Sequence, residues 1–111
     1  MLVWAVIVYD ELEYLQQTVE RVKECDKALY VMCDVNSPDS VKQFLQDEDV
    51  EYSEYAFDGD YSAMRNELDR RVRDLDRYEW ICQIDADEIP TRNLLLETEG
   101  ILAGAGVTKV N

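Results

Sequence analysis

Residues Val3 to Tyr9 form an unbroken apolar run rich in β-branched side chains, the pattern of a strand covered on both faces. At Asp10 the period changes. In "DELEYLQQTVERVKEC" the residues Leu12, Leu15, Val19 and Val22 fall on one helical face, and Asp10 with Glu13 makes an acidic version of a capping box. Ala28 to Cys33 reads as a second apolar strand. "SPDSVKQFLQ" predicts a second helix, with Ser37 as N-cap, Pro38 at the first helical position, and Val41, Phe44 and Leu45 facing inward. Val50 to Phe57 alternates through Val50, Tyr52, then Tyr55 and Phe57, which predicts a third strand with an irregularity near Ser53 and Glu54. "FDGD" is a turn signal. Beyond it Tyr61, Met64, Leu68, Val72 and Leu75 form a long helical stripe. Trp80 to Ile84 predicts a fourth strand, Thr91 caps a fourth helix through Leu102, and Val107 to Val110 begins a fifth strand.

The chain has 111 residues, with no repeat, no low-complexity tract and no linker, so residues 1–111 read as one domain. Regular strand–helix alternation predicts an α/β fold: a mainly parallel sheet with helices on both faces. In that architecture ligands bind beyond the carboxyl ends of the strands. Those ends carry Tyr9-Asp10-Glu11, then Asp34 to Asp39, then Asp58 to Asn66, then Asp85 to Glu88. All four junctions should open onto one edge of the sheet, gathering scattered polar and acidic groups into one constellation.

Charge narrows what such an edge can bind. The chain holds 25 acids, 11 bases and no histidine, for a formal net charge of −14. That field repels phosphate backbones, so nucleic acid and anionic membranes are poor partners, and a phosphorylated ligand needs a bridging cation. Cys25, Cys33 and Cys82 form no CxxC pair and two lie in apolar runs, as expected of inert buried thiols in a reducing compartment. No stretch is long enough to span a bilayer. The opening "MLVWAVIVYDE" lacks the basic start and small-residue cleavage site of a secretion signal, so the expected location is cytoplasmic.

The sharpest chemical signal is "EWICQIDADEIPTRN", where the apolar run Trp80 to Ile84 meets Asp85, Asp87 and Glu88. Adjacent like charges at one rim cost stability unless something positive sits among them. An Asp-x-Asp on extended backbone puts both carboxylates on the same side, because side-chain direction has period two. Two hard oxygen ligands suit Mg²⁺ or Mn²⁺, with water and substrate phosphates completing the shell. Arg65, in the first turn of its helix, offers a planar donor for phosphate or a base edge, while its spacing equally allows a pair with Asp69. Asp10 and Ser37 need only capping to explain them, and Tyr9 only packing.

Three other readings of the acids fail. An EF-hand loop from Asp85 would need an acid or amide at Ile89, glycine at Pro90 and glutamate at Leu96. No Gly-Lys-Ser/Thr of a phosphate-binding loop occurs. A haloacid-dehalogenase-type phosphatase would require this motif after its first core strand, with further acids and a lysine downstream, where this chain has a lone Lys109 and no aspartate.

Taken in order, the four junctions resemble family 2 glycosyltransferases of the GT-A fold. "VIVYDELEYL" is similar to the family's opening strand and Tyr-Asn-Glu turn, with Asp10 in place of Asn. "CDVNSPDSV" resembles the Asp-x-Gly-Ser-x-Asp-Gly-Thr segment, keeping Asp34, Ser37 and Asp39 but carrying Asn36 and Ser40 where glycines are common. "FDGDYSAMRNE" resembles Gly-Asp-Phe-Ala-x-x-Arg-Asn, and "WICQIDADEIP" resembles Trp-Ile-Leu-x-Leu-Asp-Ala-Asp-Glu.

The resemblance implies a nucleotide-sugar donor, expected as a UDP-sugar, and inverting transfer of the sugar to a hydroxyl acceptor with Mn²⁺ or Mg²⁺ as cofactor. Tyr9 would lie against the base, Glu11 near ribose or base, and Asp34 at the base edge. Arg65 would contact the nucleotide, Asp85 would serve ribose and metal, and Asp87 would bind the metal. In the family the catalytic base and acceptor site lie beyond the point matching Asn111, so the chain is expected to be the donor-binding part, open to self-association at uncovered strand edges. The alternative is a non-catalytic nucleotide- or cation-binding module.

Overall fold

Among the described residues, alternating apolar and polar demands resolve into five strands and four helices. The computed structural model describes residues 2–101 and 107–109. β1 (Leu2–Val8) leads to α1 (Leu12–Glu24), β2 (Ala28–Asp34), α2 (Asp39–Asp47) and β3 (Glu51–Tyr55). α3 (Tyr61–Asp74), β4 (Trp80–Asp85), α4 (Arg92–Ile101) and β5 (Val107–Lys109) follow. The expected ends of the fourth helix at Leu102 and the fifth strand at Val110 lie outside the described residues. Among the described residues no helix is long and apolar enough to cross a membrane.

The sheet order is β3-β2-β1-β4-β5. β1 pairs in parallel with β2, Val3 opposite Ala28 through Val8 opposite Cys33, and with β4, Leu2 opposite Trp80 through Ile7 opposite Asp85. β3 joins β2 in parallel, and β5 adds an antiparallel edge. Period-two alternation then sorts the side chains. Val3, Ala5, Tyr30, Met32 and Ile81 pack beneath Met64, Leu68 and Val72 of α3. On the other face Val6, Val8, Val31 and Cys33 meet Leu15 and Val19 of α1 and Val41 and Leu45 of α2. Leu2, Trp4 and Cys82 pack with Val22 and with Leu95 of α4. The α/β fold with helices on both faces is therefore the one observed, and each fully buried aliphatic side chain contributes roughly 1.5–3 kcal/mol. Cys33 and Cys82 are buried cysteines, whose pKa values are raised first by desolvation, that of Cys82 to about 11; Cys25 is half-buried.

Three local expectations are corrected. Glu11, not Asp10, is the N-cap of α1, and its carboxylate turns backward to accept the Tyr9 N–H at 3.1 and 3.2 Å, so the acidic capping box does not form. Pro38 rather than Ser37 occupies the α2 cap; the Ser37 N–H closes a turn onto the Asp34 carbonyl at 2.9 Å, and the Ser37 hydroxyl is buried without a partner. β3 is shorter and regular, with unbroken register from Glu51 to Tyr55. Its break in hydrophobic alternation is polar pairing on an edge strand: Ser53 accepts from the Tyr30 hydroxyl at 2.7 Å and Arg71 at 2.8 Å, and Glu54 pairs with Lys42 at 2.9 Å.

Helices α1, α2 and α3 all end the same way, on an aspartate in left-handed conformation: Asp26 (φ 55°), Asp49 (φ 55°) and Asp76 (φ 52°). At α1 the Lys27 and Asp26 amides return to the carbonyls of Val22 and Lys23, and at α2 those of Val50 and Asp49 return to Leu45 and Gln46, both complete Schellman closures. Glycine is the usual residue there, and an acid at a helix C-terminus opposes the macrodipole. Asp49→Gly should therefore raise the unfolding free energy by about 0.5–1 kcal/mol, measured as a higher urea midpoint. An unchanged or lower midpoint would contradict this account.

Candidate active site

Parallel order puts the carboxyl ends of β1 to β4 at one edge, and a cleft of about 840 Å³ opens there. That volume suits a ligand of nucleotide size. Ile7, Val8, Met64 and Ala86 supply apolar walls, and residues from all four strand–helix junctions line the rest. Every site residue expected from the sequence is in it: Tyr9, Glu11, Asp34, Arg65, Asp85 and Asp87. Asn36, Phe57 and Tyr61 line it too and were not foreseen. The sequence pattern places Phe57 at the end of the third strand and Tyr61 on a helical stripe, yet Tyr61 lies within the third junction and Phe57 immediately precedes it, and that is the available signal. Tyr9, Phe57 and Tyr61 keep 46–50% of their surface in water, an unusual exposure for three aromatic side chains around one cleft. Faces of this kind serve as stacking platforms for flat heterocycles.

The acids divide by what they hold. Asp34 is only 7% exposed, and its carboxylate accepts from the Asn36 N–H at 2.7 Å and the Phe57 N–H at 3.2 Å. It ties the loop after β2 to the loop after β3. Glu11 is committed to the Tyr9 amide. Glu88 accepts the Asp85 N–H at 3.0 Å while its own N–H returns to the Asp85 carbonyl at 2.9 Å. This reciprocal pair closes a turn around Ala86 and Asp87, so the Asp-x-Asp is not extended backbone: Asp85 ends β4 and Asp87 sits in the turn. The two carboxylates reach one cleft through a turn rather than through strand alternation.

Arg65 pairs with Asp85 at 2.6 Å, not with Asp69, which is held by Arg73 at 2.6 Å. The Arg65 guanidinium also lies 5.1 Å from the centre of the Tyr61 ring. Asp60 caps α3 by accepting the Ala63 N–H at 3.0 Å, and Gly59 (φ 98°) makes the sharp turn before it, which together aim the first turn of α3 at the cleft.

Among the described residues no three Asp, Glu, Cys or His side chains converge as a closed metal cage. Asp85 and Asp87 are a donor set of the open type, which takes one or two protein carboxylates and completes the ion's shell with phosphate and water. They fit Mg²⁺ or Mn²⁺ on that basis.

No protein-family model matches the sequence, and no curated protein does. Solved structures do match. S. aureus TarS, residues 1–349, superposes with a TM-score of 0.69 at 12% identity, covering 91% of this chain and 32% of that one. The same protein in complex with UDP gives 0.64 at 10% identity, covering 91% and 31%. Its complex with UDP-GlcNAc gives 0.65 at 11% identity, covering 91% and 30%. This chain spans about a third of the length of those structures, and the likeness establishes a shared α/β fold.

Replacing Asp34 by Asn leaves one acceptor oxygen for two backbone donors and should cost about 1.5–3 kcal/mol, seen as a lower urea midpoint. Asp87→Asn, at an exposed turn, should leave the midpoint unchanged or raise it. Equal losses in both would refute the division between structural and cleft-facing acids.

Proposed function

We propose that this chain binds the donor of a family 2 glycosyltransferase, a UDP-sugar held with Mg²⁺ or Mn²⁺, for inverting transfer to a hydroxyl acceptor. The observation that carries the reading is the cleft itself. Three exposed aromatic rings, one guanidinium and two cleft-facing carboxylates meet at the carboxyl edge of a parallel sheet. The same fold is found in TarS, which has been crystallised with UDP and with UDP-GlcNAc. Each component has a matching part of the ligand. Tyr9 and Phe57 offer faces to the base, and the Asp34 loop, with Asn36, offers its edge to the base's polar groups. Glu11 and Asp85 stand for the ribose, and Arg65 for phosphate. The cleft's acids, Glu11, Asp34, Asp85 and Asp87, outnumber Arg65, so a diphosphate enters only with added positive charge. Asp85 and Asp87 would hold the ion, which when bound supplies positive charge for the departing diphosphate.

A thermal-shift panel tests this. UDP, GDP, CDP and dTDP would each be added with and without Mn²⁺ to the wild type and to Asp87→Asn. Ligand at about a hundred times its Kd should stabilise by roughly 2.7 kcal/mol. The expected result is the largest shift from UDP, dependent on Mn²⁺ and lost in Asp87→Asn. No shift from any nucleotide would reduce the likeness to a shared scaffold.

A further inference from the structure

Asp85 already has a cation. Its Oδ1 lies 2.6 Å from an Arg65 nitrogen, and both side chains keep nearly half their surface in water, 40% and 49%. The guanidinium is seated rather than free: the Tyr61 ring flanks it at 5.1 Å, and the Arg65 carbonyl accepts from Gln83 Nε2 at 3.4 Å, tying its backbone to β4. Arg65 therefore occupies one oxygen of Asp85, and a divalent ion on that carboxylate would meet the repulsion of a second cation.

We propose that Arg65 is a resident counter-cation that competes with the divalent ion for Asp85 and couples metal binding to donor binding. This rests on the donor-binding reading above. In the empty cleft Arg65 neutralises Asp85, which lowers the cost of crowding acids at the end of β4. A diphosphate entering the cleft presents a stronger partner for the planar guanidinium, because phosphate oxygens accept it in bidentate fashion. As Arg65 turns to the diphosphate, Asp85 is released, and Asp85 with Asp87 would then be free to hold the ion, which would supply positive charge beside the phosphates. Metal alone binds weakly, and metal with nucleotide binds well. By linkage the two ligands raise each other's affinity by the same factor.

Mn²⁺ binding followed by the loss of the free-ion electron paramagnetic resonance signal provides a readout independent of sugar transfer. The proteins are wild type, Arg65→Gln, Arg65→Lys, Asp85→Asn and the double variant Arg65→Gln/Asp85→Asn, each with and without saturating UDP. The pair is half-exposed, so these variants keep the core intact. Without UDP, Arg65→Gln should bind Mn²⁺ about two- to five-fold tighter than wild type, the range that releasing a half-exposed ion pair allows. Arg65→Lys should restore weak binding. The gain should vanish in the Asp85→Asn background, which isolates the pair from the general field. UDP should enhance Mn²⁺ binding less in Arg65→Gln than in wild type.

Unchanged or weaker Mn²⁺ binding by Arg65→Gln, in a protein whose wild type still responds to UDP and Mn²⁺, would overturn the competition and leave the donor reading standing. An equal gain in the Asp85→Asn background would overturn it as well. If wild type bound neither Mn²⁺ nor UDP, the donor reading and the competition would fall together.

Discussion

β1 has no face to give to water. Leu2, Val3, Trp4, Ala5 and Val8 are buried on alternating sides, so the strand is stable only between two helical layers and between two other strands. Covering both faces requires crossovers that lay helices over the sheet, and crossovers of that kind make neighbouring strands parallel. Parallel strands in turn end together. The burial of one apolar heptapeptide thus has a consequence far from the core: the loops after β1, β2, β3 and β4 must share an edge, and whatever polar residues they carry must share a cleft.

That sharing creates an accounting problem for backbone donors and side-chain acids, and the junctions solve it locally. Loops at the edge of a sheet leave N–H groups without ladder partners. Asp34 takes two of them, Glu11 takes that of Tyr9, and Glu88 takes that of Asp85. Three of the acids around the cleft are therefore building material. Their charges shape the rim and bridge one loop to the next, and Glu11 and Asp34 do so while still lining the cleft. Asp87 and the Asp85–Arg65 pair, beside three aromatic faces, are the cleft groups that these loop-tying bonds leave uncommitted.

Much of this was legible in the sequence because burial on both faces writes continuous apolar runs, and helices write a stripe. Strands β1, β2 and β4 and the faces of α1 and α2 followed from that alone. The convergence of the four junctions then followed from parallelism. Local chemistry was harder to read. Asp10-x-x-Glu13 has the spacing of a capping box, but the helix starts one residue later, with Glu11 at the cap and its carboxylate on the Tyr9 amide. The irregularity expected near Ser53 and Glu54 was an edge strand choosing polar partners from α2 and α3, which no window along β3 contains. Left-handed Asp26, Asp49 and Asp76 carried no glycine to announce them. The partner of Arg65 lies twenty residues away on another element, so helical spacing offered Asp69 and tertiary geometry chose Asp85.

The choice of Asp85 over Asp69 bears on how a chain of net charge −14 can present a site to an anion. A cleft lined only by acids would repel a diphosphate at every distance, and salt would screen that field without reversing it. A fixed cation buried among the acids would bind the diphosphate but would also bar a divalent ion. An arginine near the start of a helix, half in water and leaning on an aromatic ring, does neither. It neutralises the acid that needs a partner while the cleft is empty, and its long side chain can swing to phosphate without moving the helix that carries it. The adaptable part of the site is then a single side chain, set on a scaffold whose loops are tied down by Asp34, Glu11 and Glu88. On the proposed arrangement the surplus of acids would stop being an obstacle to an anionic ligand and would become the reason that such a ligand arrives with a metal.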